Sequence, residues 1–159
     1  MKKLTLFIAS ALILNSCAKD PCSDVLCLNN GTCLDGTCLC QDWYEGENCG
    51  TEERAKYYGL YTGTLTLTQN GQVIAQDVTQ MDISDGASIN RLQVDGLGTE
   101  AKINVSGQPN FDLVPFTIVS QGETVQCTGF GTFNGSQLSM YGQMSASGET
   151  INWTYVGTK

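Results

Sequence analysis

From Tyr57 to its last residue the chain alternates apolar and polar positions in short runs. In the first run Tyr61, Gly63, Leu65 and Leu67 fall on one side, and Thr62, Thr64, Thr66 and Thr68 on the other. A period of two places successive side chains on opposite faces of a half-buried antiparallel strand. Asn70-Gly71 follows, and both residues accept the positive φ that a tight hairpin turn needs, so the pattern predicts a hairpin into a strand over 72–83. The same alternation predicts strands at 88–94, 99–106, 111–120, 123–130, 137–144 and 149–156, separated by Asp85-Gly86, Asp95-Gly96, Gly107-Gln108-Pro109-Asn110, Gly122, Asn134-Gly135 and Gly148. Every connection is short and no amphipathic helix of normal length interrupts them, which argues against a parallel sheet with helical crossovers. The expectation is a mainly β antiparallel meander of about eight strands, closed as a barrel or folded over as a sandwich, since closure removes exposed edges. Pro115 falls inside a predicted strand, where it requires an edge position or a bulge.

Before residue 57 the pattern changes. Lys2 and Lys3 precede a run from Leu4 to Leu14 that is apolar apart from Thr5 and Ser10, and Leu14-Asn15-Ser16-Cys17 closes it. A membrane-spanning helix needs about 20 apolar residues, so the run reads as a removed export signal. The chain has 8 cysteines: Cys17 ends that run, six lie between Cys22 and Cys49, and Cys127 stands alone downstream. So short a segment cannot bury enough apolar surface to fold unaided, and six cysteines crowded into it in an exported chain imply a disulfide framework. Spacing by itself leaves their pairing open. The charged stretch Thr51-Glu52-Glu53-Arg54-Ala55-Lys56 reads as a linker or one short helical turn.

Three resemblances add to this reading. Residues 1–17 resemble a bacterial lipoprotein signal, in which residues 1–16 are cut away and Cys17 becomes a lipid-bearing amino terminus on a tether over 17–21. An ordinary secretory signal cut near Ala18 is the competing reading; small Ser16 directly before a cysteine at the end of the apolar run favours the first. Residues 22–50 resemble an EGF-like module in the spacing of Cys22, Cys27, Cys33, Cys38, Cys40 and Cys49, in the turn Asn29-Asn30-Gly31-Thr32-Cys33, where Asn30 replaces the family's glycine, and in Tyr44-Glu45-Gly46 before the last cysteine. That resemblance implies the pairs Cys22–Cys33, Cys27–Cys38 and Cys40–Cys49, each closing a ring of about ten residues, for which loop entropy gives about 3 kcal/mol of stabilisation. Residues 57–159 are similar to small lipocalin-like barrels of Gram-negative surface lipoproteins at Tyr57-Tyr58-Gly59-Leu60-Tyr61-Thr62-Gly63, at Ile151–Lys159, and in the hairpin Phe130–Leu138, a resemblance that implies the barrel rather than the sandwich.

The candidate chemistry is sparse. With no histidine in the chain, the commonest general base and the usual zinc partner of paired cysteines are both missing. Calcium takes about six to eight oxygens, and Asp20 before the first clustered cysteine with Asp35 in a later turn do not supply them. Asp77, Asp82, Asp85, Asp95, Asp112 and Glu123 fall mostly near predicted turns, so the chain is read as non-catalytic, with no metal and no cofactor. Of the 8 basic side chains two lie in the signal; the other 6 against 16 acidic ones give a formal net charge of −10, which repels nucleic acid and anionic headgroups. Membrane attachment then rests on lipid at Cys17, and Ala18 after it, rather than aspartate, implies by sorting analogy the outer membrane, with exposure at the cell surface. Expected inward positions include Tyr61, Leu65, Val105, Val125, Trp153 and Tyr155, filling the barrel, with Cys127 a buried free thiol among them. The function expected is protein or glycan interaction, or a structural role, at the cell surface, with Trp43, Tyr44 and the barrel loops as exposed surfaces. The alternative is a lipocalin-like carrier of a small apolar ligand.

Overall fold

The computed structural model describes residues 19–120 and 122–159; Cys17 and the segment before it lie outside the described residues. In the amino-terminal part, β1 (Thr32–Leu34) and β2 (Thr37–Leu39) form a hairpin, and β3 (Tyr44–Glu45) pairs with β4 (Thr51–Glu52). Disulfides join Cys22 to Cys33, Cys27 to Cys38 and Cys40 to Cys49, so almost every turn of this module is tied to another. Asn30 stands at φ 59°, a conformation that asparagine reaches more readily than other non-glycine residues.

The remaining strands are β5 (Gly59–Gln69), β6 (Gln72–Asp85), β7 (Arg91–Asp95), β8 (Thr99–Ile103), β9 (Asn110–Leu113), β10 (Phe116–Ser120), β11 (Glu123–Asn134), β12 (Gln137–Ala146) and β13 (Glu149–Thr158). Eight of them, β5 to β9 and β11 to β13, close an antiparallel barrel: β9 pairs with β11, and β13 returns to β5. The single strand expected over 111–120 is two. Pro115, which has no N–H to give, sits in the break between β9 and β10, and the two pieces pair with successive stretches of β11, β9 with Phe130–Thr132 and β10 with Glu123–Cys127.

Only one end of the barrel is filled. Tyr61, Met81, Ile83, Leu92, Val94, Phe111, Phe133, Leu138, Met140 and Tyr155 are buried there as one cluster. Their rings lie against strand backbone wherever an inward position is glycine: a methyl group on Gly142 would collide with the Thr128 carbonyl and the Trp153 ring, and one on Gly131 with the Phe111 ring. Val105, expected inward, is instead exposed in the loop after β8, because that strand ends at Ile103.

The charged stretch expected to be a linker or one helical turn plugs this filled end. Thr51–Glu52 belongs to the β3–β4 ladder, and Glu53–Tyr57 is a 3-10 helix. Tyr57 stacks on Phe133 with ring centroids 4.3 Å apart, and its carbonyl accepts the Tyr61 hydroxyl (3.0 Å). Arg54 is buried; its Nη1 donates to the carbonyls of Gly86, Ser88 and Arg91 (3.0, 2.8 and 2.8 Å) and its Nε to Glu52 (2.8 Å). The Glu53 carboxylate accepts the Ser106 hydroxyl and the Gly107 N–H (2.8 Å), while Ser106 Oγ in turn accepts the Trp43 N–H (3.1 Å). Trp43 packs on the barrel core. It is therefore half of a joint between module and barrel, not the free surface expected from the sequence.

Two substitutions test this packing. Arg54→Leu strands three loop carbonyls and lowers unfolding free energy by about 2–3 kcal/mol, read as a lower denaturant midpoint at unchanged slope. Gly142→Ala overpacks the Trp153 site and costs about 1–3 kcal/mol by the same measurement.

Candidate functional site

The strands are unequal in length, and that inequality makes the site. β5, β6, β11, β12 and β13 run from the plugged end to the far end, whereas β7 stops at Asp95, opposite Asp82, and turns back through Gly96–Gly98. In the far half the wall is therefore six strands, ordered β10-β11-β12-β13-β5-β6, and no described strand lies beyond β6 over 72–81 or beyond β10. The concave face of this open half carries Leu65, Leu67, Ile118, Val125, Met144 and Ile151, all inward by register with buried partners such as Cys127 and Trp153.

Two adjoining recesses result, sharing Ile118 and Met144. The outer one, of about 450 Å³, runs from Leu67 across Ile151 and Met144 to Ile118, with Glu123, Glu149, Ser120 and Ser147 at its mouth. The inner one, of about 210 Å³, lies against Leu97 between Leu65, Phe116 and Trp153. Leu97, carried inward by the short β7–β8 turn, forms the floor that separates the filled half from the open half. The barrel is neither wholly filled, as its sequence suggests, nor a closed ligand chamber: its far half is a trough open along one side.

Charge divides along the same axis. The cations after residue 50 are Arg54, Lys56, Arg91, Lys102 and Lys159. All sit at the plugged end: two on the 3-10 helix, Arg91 and Lys102 opposite each other on β7 and β8, and Lys159 donating to the carbonyls of Lys56 (2.9 Å) and Tyr58 (2.6 Å). Three have carboxylate partners, Arg54 with Glu52, Lys56 with Glu45 and Arg91 with Glu100. The Ala87 N–H and Arg91 guanidinium hold Glu100 below its usual carboxylate range. At the open end Glu149 accepts only Gln69 (3.1 Å), Glu123 only Ser147 (3.2 Å), and Asp77 its neighbour's Val78 N–H (2.8 Å), among the described residues.

Other sequence candidates are spread over the barrel. Asp82 and Asp95 are cross-strand neighbours on β6 and β7; Asp77 and Asp85 also lie on β6, Asp112 on β9 and Glu123 on β11. Among the described residues no three His, Cys, Asp or Glu side chains converge as a metal would require. On the outer wall Phe130 and Tyr141 stack with centroids 5.8 Å apart, beside Asp112, which accepts Asn104 Nδ2 (3.0 Å); the sequence reading gave this exposed pair no role. No family model, curated protein or solved structure matches the chain.

Cys127 lies under the inner recess, 1% exposed, and burial pushes its thiol pKa up. Both effects suppress the thiolate that reacts. A disulfide reagent at neutral pH is expected to label it at least about tenfold more slowly in the native protein than in denaturant. Equal rates would show a thiol open to solvent.

Proposed function

We propose that this chain is a non-catalytic cell-envelope protein, anchored through lipid on Cys17, in which an EGF-like module serves as a spacer and a lipocalin-like barrel offers its open end to a protein partner. The observation that carries this reading is the polarity of the barrel. Its module end is filled, plugged and charge-paired, while the opposite end is apolar, acidic and unclosed. A domain held from one end is free to bind at the other. Exposed apolar patches of this kind, rimmed by polar groups, mark interaction sites.

The carrier alternative draws on the same apolar recesses. A small-molecule pocket buries about 70–90% of its ligand, and a trough missing its wall between β6 and β10 leaves much of a small apolar molecule in water. The interaction reading is therefore preferred. Residues 1–17 supply the address: export through the lipoprotein route, with Ala18 directing the outer membrane.

Mass spectrometry of the exported protein tests the anchor. Cleavage between Ser16 and Cys17 with an acylated Cys17 is expected, and Cys17→Ser is expected to release the protein from the membrane fraction. A mature terminus near Ala18 without acyl groups would refute it.

A further inference from the structure

We infer that the trough takes an extended polypeptide segment whose inward face is apolar around a lysine or arginine, and which adds as a strand to the free edge of β6 over 75–79. This rests on the interaction reading above and names its partner by chemistry.

Three observations converge on that occupant. The first is the missing wall. Eight strands surround the filled half and six the open half, so the gap has room for about two strands at about 4.8 Å spacing. An added strand would continue the line of β7 past Gly96, which lies against Gln80 and Met81, and beyond the stretch Asp82–Asp85 where β6 already accepts a neighbour.

The second is how the edge is kept. Free strand edges in stable proteins are commonly blunted by lysine, proline, bulges or inward charges. Neither β6 nor β10 contains lysine or proline, and both expose apolar side chains, Val78 at 69% and Val119 at 76%. The bulge of the β5–β6 pair falls between Leu67 and Thr68, near the hairpin tip, and leaves 75–79 in regular register. The one blunting device left on this stretch is the inward carboxylate of Asp77.

The third is sign. Glu123 and Glu149 rim the trough, Asp77 is inward by its register with Leu65, and no Lys or Arg occurs in 57–90 or 103–158. An inward carboxylate repels a second copy of this acidic chain and offers a counter-charge to a lysine or arginine on an incoming strand. The concave face accepts the apolar side chains that stand two residues before and after that cation, on the same inward face of the strand. Main-chain bonds to the edge with side chains in the trough are the general mode of strand addition.

The test titrates the exported full chain, at physiological salt, with a synthetic peptide of about ten residues that carries threonine on one strand face and valine around a central lysine on the other, and with its counterpart that has glutamate in place of that lysine, while amide exchange is followed. The expected result is saturable one-to-one binding of the basic peptide, at least about tenfold tighter than the acidic one, with new protection of amides within 75–79. Ala75→Lys puts a cation on the inward side of the edge and is expected to weaken binding about tenfold or more. Val78→Lys makes the same change in charge on the outward side and is expected to alter it less than about threefold. Asp77→Asn, a smaller change at an exposed site, is a second check should Ala75→Lys unfold, and is expected to weaken binding in a salt-dependent way. Equal loss from the two lysine variants, equal binding of the two peptides, or protection elsewhere than β6 would overturn the inference. So would a dimer whose 75–79 amides are already protected, or one-to-one binding of palmitate without binding of peptide. An acylated Cys17 with no bound peptide would remove the strand inference alone, and a bound peptide with unmodified Cys17 the anchor alone.

Discussion

The guanidinium of Arg54 is the group on which the arrangement of the two parts depends. It is buried at the end of the barrel and satisfied by three carbonyls of the β6–β7 loop and by Glu52. Interior charge is tolerated only when nearly every donor is paired, and that requirement fixes the 3-10 helix and the loop relative to each other. Its neighbour Glu53 does the same for the β8–β9 loop through Ser106 and Gly107. Between them, two adjacent ions clasp two neighbouring loops of the barrel rim, and Tyr57 follows as an apolar stopper against Phe133.

With one end fixed in this way, the module and barrel act as a joined unit. The three disulfides hold the module, the β3–β4 ladder carries its last turn into the 3-10 helix, and Trp43 rests on the barrel core. Cations are drawn to the same end, where carboxylates and carbonyls await them. The far half is left with acids alone and with a wall two strands short.

Much of the architecture was legible in the chain because it is local. Period-two alternation and turn pairs such as Asn70-Gly71 and Asn134-Gly135 report directly on hairpins, and a meander is little else. The trough was not legible, since it arises from strands of unequal length around a closed ring. That property appears only when Asp82 is known to face Asp95 and Phe116 to face Cys127. The plug was hidden for a different reason. A run such as Glu52-Glu53-Arg54 normally belongs to solvent, and nothing in its composition tells that backbone carbonyls 32 to 37 residues away will surround the arginine. Trp43 misled in the opposite sense: an aromatic in a small cysteine-rich module looked free, and was taken up by a neighbour.

Ring closure has a temporal side. Most ladders of the barrel join strands adjacent in the chain, but β13 seals the wall against β5, with Thr158 facing Thr62 and Asn152 facing Thr68. Loops that long cost entropy to close before any bond repays them. A chain formed from its amino terminus can zip its hairpins in turn, yet stays an unsealed curl until β13 arrives. Throughout that interval the disulfide-tied segment, which is made first, is already able to pair its cysteines.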